Sequence, residues 1–127
     1  MDTKEFLSRV LSDTGNYCVF ANHLANDQRK QMFYTSLDDV VDTATDLDGQ
    51  GYDVYFALAT FSEAGSRRVN NTLSFKAFFL DLDCGPSKDF TTKEEAIAEL
   101  RRFSKELKLP KPLMVNSGRG IHVYWAL

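Results

Sequence analysis

Three things are scarce in this chain of 127 residues, and each scarcity removes a class of protein. Two cysteines, Cys18 and Cys84, are too few and too far apart for a disulfide scaffold or a zinc site, so both are expected to be free thiols. No apolar run reaches the length that crosses a bilayer, and Met1-Asp2-Thr3-Lys4-Glu5 lacks the basic start and apolar segment of a signal peptide. An intracellular, cytoplasmic protein with no membrane partner is therefore expected. An excess of positive charge is missing too: a net charge of −3 argues against gripping nucleic acid with the whole surface but leaves a localised groove open.

What is present is enough for a core. Ten phenylalanines and 43% apolar residues suit one globular domain that needs no disulfide or metal staple. Charge is uneven along the chain. Asp38, Asp39, Asp42, Asp46, Asp48 and Asp53 fall in a span without Lys or Arg, and Arg67, Arg68, Lys76, Lys88, Lys93, Arg101 and Arg102 come later. Solvated faces of different sign account for either cluster taken alone.

Apolar spacing predicts a helix over 3–13 (Phe6, Leu7, Val10, Leu11), strands over 16–21 and 31–35, and a polar loop between them in which His23 reads as a surface histidine. Ser36 is a fitting N-cap for an amphipathic helix over 37–47 that presents Leu37, Val40, Val41, Ala44 and Leu47. A buried strand follows over 54–61, then a loop over 62–74 in which Arg67-Arg68 is either a phosphate contact or ordinary solvated charge. A central strand is expected over 75–82. Thr92 and Glu95 form a capping box for a helix over 93–107, and Pro110 and Pro112 end it before strands over 113–116 and 121–127. The order αββαββαββ is that of an α+β, or mixed α/β, domain with helices on one face of a sheet.

Two short stretches carry chemistry. In Ala77-Phe78-Phe79-Leu80-Asp81-Leu82-Asp83-Cys84-Gly85 an apolar strand ends in alternating aspartates, which strand geometry turns to one face. Carboxylates that close repel unless a cation lies between them, and hard oxygen ligands favour Mg²⁺ or Mn²⁺. The same pattern also arises as a plain strand-end turn, in haloacid-dehalogenase-type phosphatases and in sugar-nucleotide transferases. In Asn116-Ser117-Gly118-Arg119-Gly120-Ile121-His122-Val123-Tyr124-Trp125, Gly118 and Gly120 allow a turn whose amides can face an anion, and Ser117 and Arg119 add a hydroxyl and a guanidinium. Ile121, Val123 and Trp125 point to a core. That leaves His122 and Tyr124 on the open face with Asp81 and Asp83. A tight hairpin turn followed by a half-buried strand with an incidental histidine is the plainer alternative.

Together, L-D-L-D-C-G and N-S-G-R-G-I-H-V-Y-W resemble motifs I and II of the archaeo-eukaryotic primase superfamily, especially the DNA primase-polymerases of phages and plasmids. The resemblance spans residues 75 to 127, and Lys88 and Leu109-Pro110 also fit it. It implies a catalytic core related to the RNA-recognition fold. Asp81 and Asp83 would hold the metals, Ser117 and His122 would contact the triphosphate of an incoming nucleotide, and Arg119 and Lys88 would assist. The implied reaction is template-directed nucleotidyl transfer on single-stranded DNA, with a 3′-hydroxyl or a first nucleotide attacking an α-phosphate and pyrophosphate leaving.

The family's third motif, a further strand-borne aspartate, lies beyond the histidine strand, and this chain stops at Leu127 inside that strand. Residues 1–127 are thus expected to be one catalytic domain lacking its C-terminal part, with a C-terminal segment, a helicase module or a second subunit completing the site. The terminal strand is expected to be an exposed edge that favours dimerisation. Two rival readings are a non-catalytic nucleotide- or nucleic-acid-binding module on the same core, and a metal-dependent phosphatase or nuclease.

Overall fold

A computed structural model describes all 127 residues. It is a mixed α+β fold with three α-helices and antiparallel sheets, divided into two compact units, Met1–Lys76 and Ala77–Leu127. The single sheet expected from the strand count is instead three: β2-β1-β3, β4-β5 and β6-β8-β7. No helix is long and apolar enough to cross a membrane.

The first unit opens with α1 (Thr3–Val10), capped by the Asp2 carboxylate, which accepts from the Glu5 amide at 2.7 Å. The helix ends earlier than its apolar spacing suggests because Leu11 is already extended and buried, its backbone leaving helical dihedrals at φ −108°. β1 (Tyr17–His23) pairs antiparallel with β2 (Arg29–Tyr34) on one side and β3 (Tyr52–Phe56) on the other. β2 and β3 are therefore parallel to each other, joined by α2 (Leu37–Gly49), with β1 between them. This is a split β-α-β arrangement. Ala21, Leu47 and Tyr52 form a buried cluster with Met32 and Val54 against it, which puts α2 on the face carrying the odd-numbered residues of β1. The run predicted as one strand over 54–61 is broken at 57–59, after which β4 (Thr60–Phe61) pairs with β5 (Thr72–Ser74). That second hairpin occupies part of the expected loop. His23 is no free surface group: Nδ1 accepts from the Ala25 amide at 3.1 Å, so Nε2 carries the proton and donates to the Gln50 carbonyl at 3.1 Å.

The second unit runs β6 (Ala77–Asp83), α3 (Lys93–Glu106), β7 (Leu113–Asn116) and β8 (Gly120–Ala126). β8 is antiparallel to both β6 and β7, so the pair joined by α3 is again parallel and again split by a third strand. The expectation of an unpartnered terminal strand is overturned here, since β8 lies in the middle and the edges are β6 and β7. The hairpin turn before β8 and the crossover through α3 both deliver a neighbour to it. α3 starts as its sequence demands: Thr92 Oγ1 accepts from the Glu95 amide at 3.2 Å, and the Glu95 carboxylate accepts from the Thr91 amide at 3.0 Å. Its apolar stripe packs Leu100 and Ile97 on Ile121, Val123, Leu82 and Trp125. That packs one face of the sheet, and the other carries Asp81, Asp83 and His122 beside Phe79, Tyr124 and Val115.

Candidate metal and nucleotide site

The register of β6 against β8 sets the site. Asp81 lies directly opposite His122, Phe79 opposite Tyr124, and Asp83 opposite Gly120. Residues facing one another across an antiparallel pair share a face. All of these therefore lie on the side away from α3, as the alternation of Ile121, Val123 and Trp125 predicts.

His122 Nε2 stands 3.6 Å from Asp81 Oδ1. That is an approach of opposite charges when the ring is protonated, and too long for a hydrogen bond. The imidazole also meets the Phe79 ring in a T-shaped contact, ring centroids 5.3 Å apart at 74°, and Phe79 meets Tyr124 at 5.1 Å. Tyr124 is on the expected face, but it is buried. Burial raises its phenol above the ordinary value, and the negative charge of Asp81 raises it further. Asp81 and Asp83 are exposed, and no lysine or arginine pairs with either. Gly120 leaves no side chain opposite Asp83. A Cβ there would sit 2.0 Å from the Leu82 carbonyl oxygen, so the close approach of the two backbones requires glycine.

The turn is fixed from several directions. Gly118 has φ +90°, its amide donates to Asn116 Oδ1 at 2.9 Å, and the Ser117 amide donates to the Gly120 carbonyl at 3.0 Å. Two amides expected to face an anion are thus consumed within the turn, because Asn116 caps it as an Asx-turn. The Ser117 hydroxyl and the Arg119 guanidinium remain exposed as donors. The Arg119 carbonyl accepts from the Cys84 amide at 2.9 Å, tying the turn to the end of β6. Lys88 is exposed in the loop after β6, its amide bonded to the Gly85 carbonyl at 3.1 Å, and no ion pair joins its ammonium to the aspartates.

Lys93 is a contributor that the sequence reading missed. Its Nζ donates to Asn116 Oδ1 at 2.7 Å, so the first residue of α3 holds the same oxygen that holds the Gly118 amide. The signal for half of this was present, since Asn before Ser-Gly is a turn former. Nothing local in the sequence pairs Lys93 with Asn116, which only the crossover brings together.

Asp81 and Asp83 fit a hard divalent cation in ligand type, same-face placement and freedom from lysine or arginine partners. They fill only part of a coordination shell, because no group of three His, Cys, Asp or Glu side chains is gathered for a metal. Water or phosphate oxygens would complete it. Comparison with protein-family models, with curated proteins and with solved structures returned no match for this chain.

Proposed function

We propose that the second unit binds a nucleoside triphosphate with Mg²⁺ or Mn²⁺, and that the chain acts in metal-dependent nucleotidyl transfer of the DNA primase-polymerase type on a single-stranded DNA template. The reading rests on one observation above the others: Asp81 and His122 face each other across β6 and β8, with Asp83 next on the same open face. An alternation that produced a plain strand-end turn would not need a histidine opposite the first carboxylate. The split β-α-β arrangement of this unit also suits the expected core.

In this reading Asp81 and Asp83 would hold the cation, which would supply neutralisation of phosphate charge and a lowered pKa for the attacking hydroxyl. His122 Nε2 turns from Asp81 to donate to a phosphate oxygen, a short movement because the 3.6 Å approach is not a closed hydrogen bond. Ser117 and Arg119 donate from the turn, the guanidinium offering a two-pronged contact to phosphate. Lys88 adds charge from the loop after β6. A further segment or subunit would add the acid that completes the shell.

A second reading, a nucleotide-binding module without catalysis, is favoured by the carboxylates numbering only two. Incorporation of labelled nucleotide onto a primed single-stranded template, run beside the Asp81→Ala, Asp83→Ala double variant, separates the two. Incorporation lost in the variant supports the transferase. Metal-dependent nucleotide binding without incorporation supports the module. A chain that neither incorporates nor binds nucleotide overturns both.

A further inference from the structure

The face of β2-β1-β3 opposite α2 holds a different kind of site. Phe20 of β1 is opposite Tyr55 of β3, and their rings stack with centroids 5.3 Å apart and planes within 14°. The Arg67 guanidinium, from the loop after β4, lies over the Phe20 ring at 4.1 Å. Tyr55 is 48% exposed, a large outlay of aromatic surface to leave in water. These residues line a cavity of about 540 Å³ together with Asn22, Arg29 and Lys30. Arg29 and Arg67 bring their charges to this face and no acid lines the cavity, in a chain of net charge −3. Lys30, opposite Ala21, turns its ammonium to the Tyr52 ring on the α2 face, 5.3 Å from the centroid, and Asp53, opposite Asn22, stays outside the lining. Asn22 Oδ1 is buried here without a hydrogen-bond partner, an acceptor that a donor entering the cavity would satisfy.

Exposed aromatic rings with interleaved cations on an open sheet face suit one kind of ligand best: a flexible polyanion that carries its own flat rings. An acidic peptide would use the cations and leave the rings idle. We propose that this face binds single-stranded nucleic acid, with a base stacked on Tyr55, phosphates running along Arg29 and Arg67, and a base N–H donating to Asn22. The site belongs to the first unit and does not rest on the metal-site reading.

The test is fluorescence anisotropy of a labelled oligothymidylate titrated with the full chain. Tyr55→Leu, at a half-exposed position, is expected to weaken binding at least about five-fold, the low end of one base–aromatic stack. An abasic strand of equal length is expected to bind the wild type as weakly and to be indifferent to that substitution. Arg67→Gln is expected to weaken binding and flatten its salt dependence. Should Tyr55→Leu disturb the circular dichroism spectrum, Arg67→Gln on its exposed loop carries the test. The titration is run in EDTA without added nucleotide, conditions that the metal-dependent nucleotide site cannot use, so failure of that site and failure of this face are distinguishable. Equal binding of abasic and thymidylate strands, of duplex and single strand, or of a polyglutamate competitor would overturn the proposal.

Discussion

The β2-β1-β3 sheet and the β6-β8-β7 sheet share a plan and carry opposite chemistry. Each has two parallel strands joined by one helix and split by a third, antiparallel strand, which comes first in chain order in one unit and last in the other. Each helix covers one face. On the faces away from the helices one sheet shows stacked rings and arginine, the other two carboxylates and a histidine beside Phe79 and Tyr124. Period-two alternation builds the core with every second residue, and the residues between are free to specialise. The core residues of the two sheets are interchangeable in kind; those on the open faces are not.

The largest expected effect tests how far the second unit depends on one close contact. Gly120→Ala places a methyl 2.0 Å from the Leu82 carbonyl, which neither strand can yield without breaking its pairing. A loss of about 3 kcal/mol in denaturant-induced unfolding is expected, at the upper end of overpacking costs. Gly118→Ala meets nothing within 4 Å and carries only the strain of φ +90°, so a loss of about 1–2 kcal/mol is expected. Gly49→Ala, in the first unit, also meets nothing and lies at the end of a helix; a change within about 0.5 kcal/mol is expected there.

A smaller effect separates positioning from packing. Lys93→Met removes the bond to Asn116 while keeping the side chain's apolar stem. Stability is expected to fall by less than about 1 kcal/mol, as for other exposed polar contacts. Affinity for a metal-bound nucleoside triphosphate is expected to fall several-fold, because the turn bearing Ser117 and Arg119 is less fixed. Lys93→Arg, which can still reach Asn116, should restore most of it. Equal affinity in all three proteins would show that the turn does not serve a ligand.

The smallest effect is a pH dependence shared by the two units. Burial raises the phenols of Tyr17 and Tyr124 above their ordinary 10.0, with the charges of Asp13 and Asp81 adding to it. Raised folded values mean that the unfolded chain ionises first as pH climbs. The stabilisation is therefore complete below pH 10 and is lost as pH rises through the folded values. Thermal melts across that range should show the fall, and Tyr124→Phe should make it shallower.

Much of this was legible in the sequence because alternation is a local signal. Ile121, Val123 and Trp125 named the core face of β8 and so gave the other face to His122, and the spacing of Asp81 and Asp83 did the same for β6. The capping residues Ser36 and Thr92 marked two helix starts. Other features depend on contacts far apart in the chain. The break at 57–59 falls in an unbroken apolar stretch, Ala57-Leu58-Ala59, where no turn former announces it. Leu11 leaves the helix because it is buried in an extended conformation, which helical spacing cannot foretell. The stack of Arg67 on Phe20 joins residues from separate elements, and the division into three sheets depends on which strands meet.

Calorimetric titration of the chain with a nucleoside triphosphate, with and without Mn²⁺, bears most directly on the open face of the second unit. Binding that requires the cation and weakens at least about ten-fold in Asp81→Ala, Asp83→Ala is the expected result, with thermal stability unchanged or raised because two repelling carboxylates are gone. Binding that ignores both the cation and the substitutions, or no binding at all, would contradict the assignment of Asp81, Asp83 and His122 to a metal and nucleotide site.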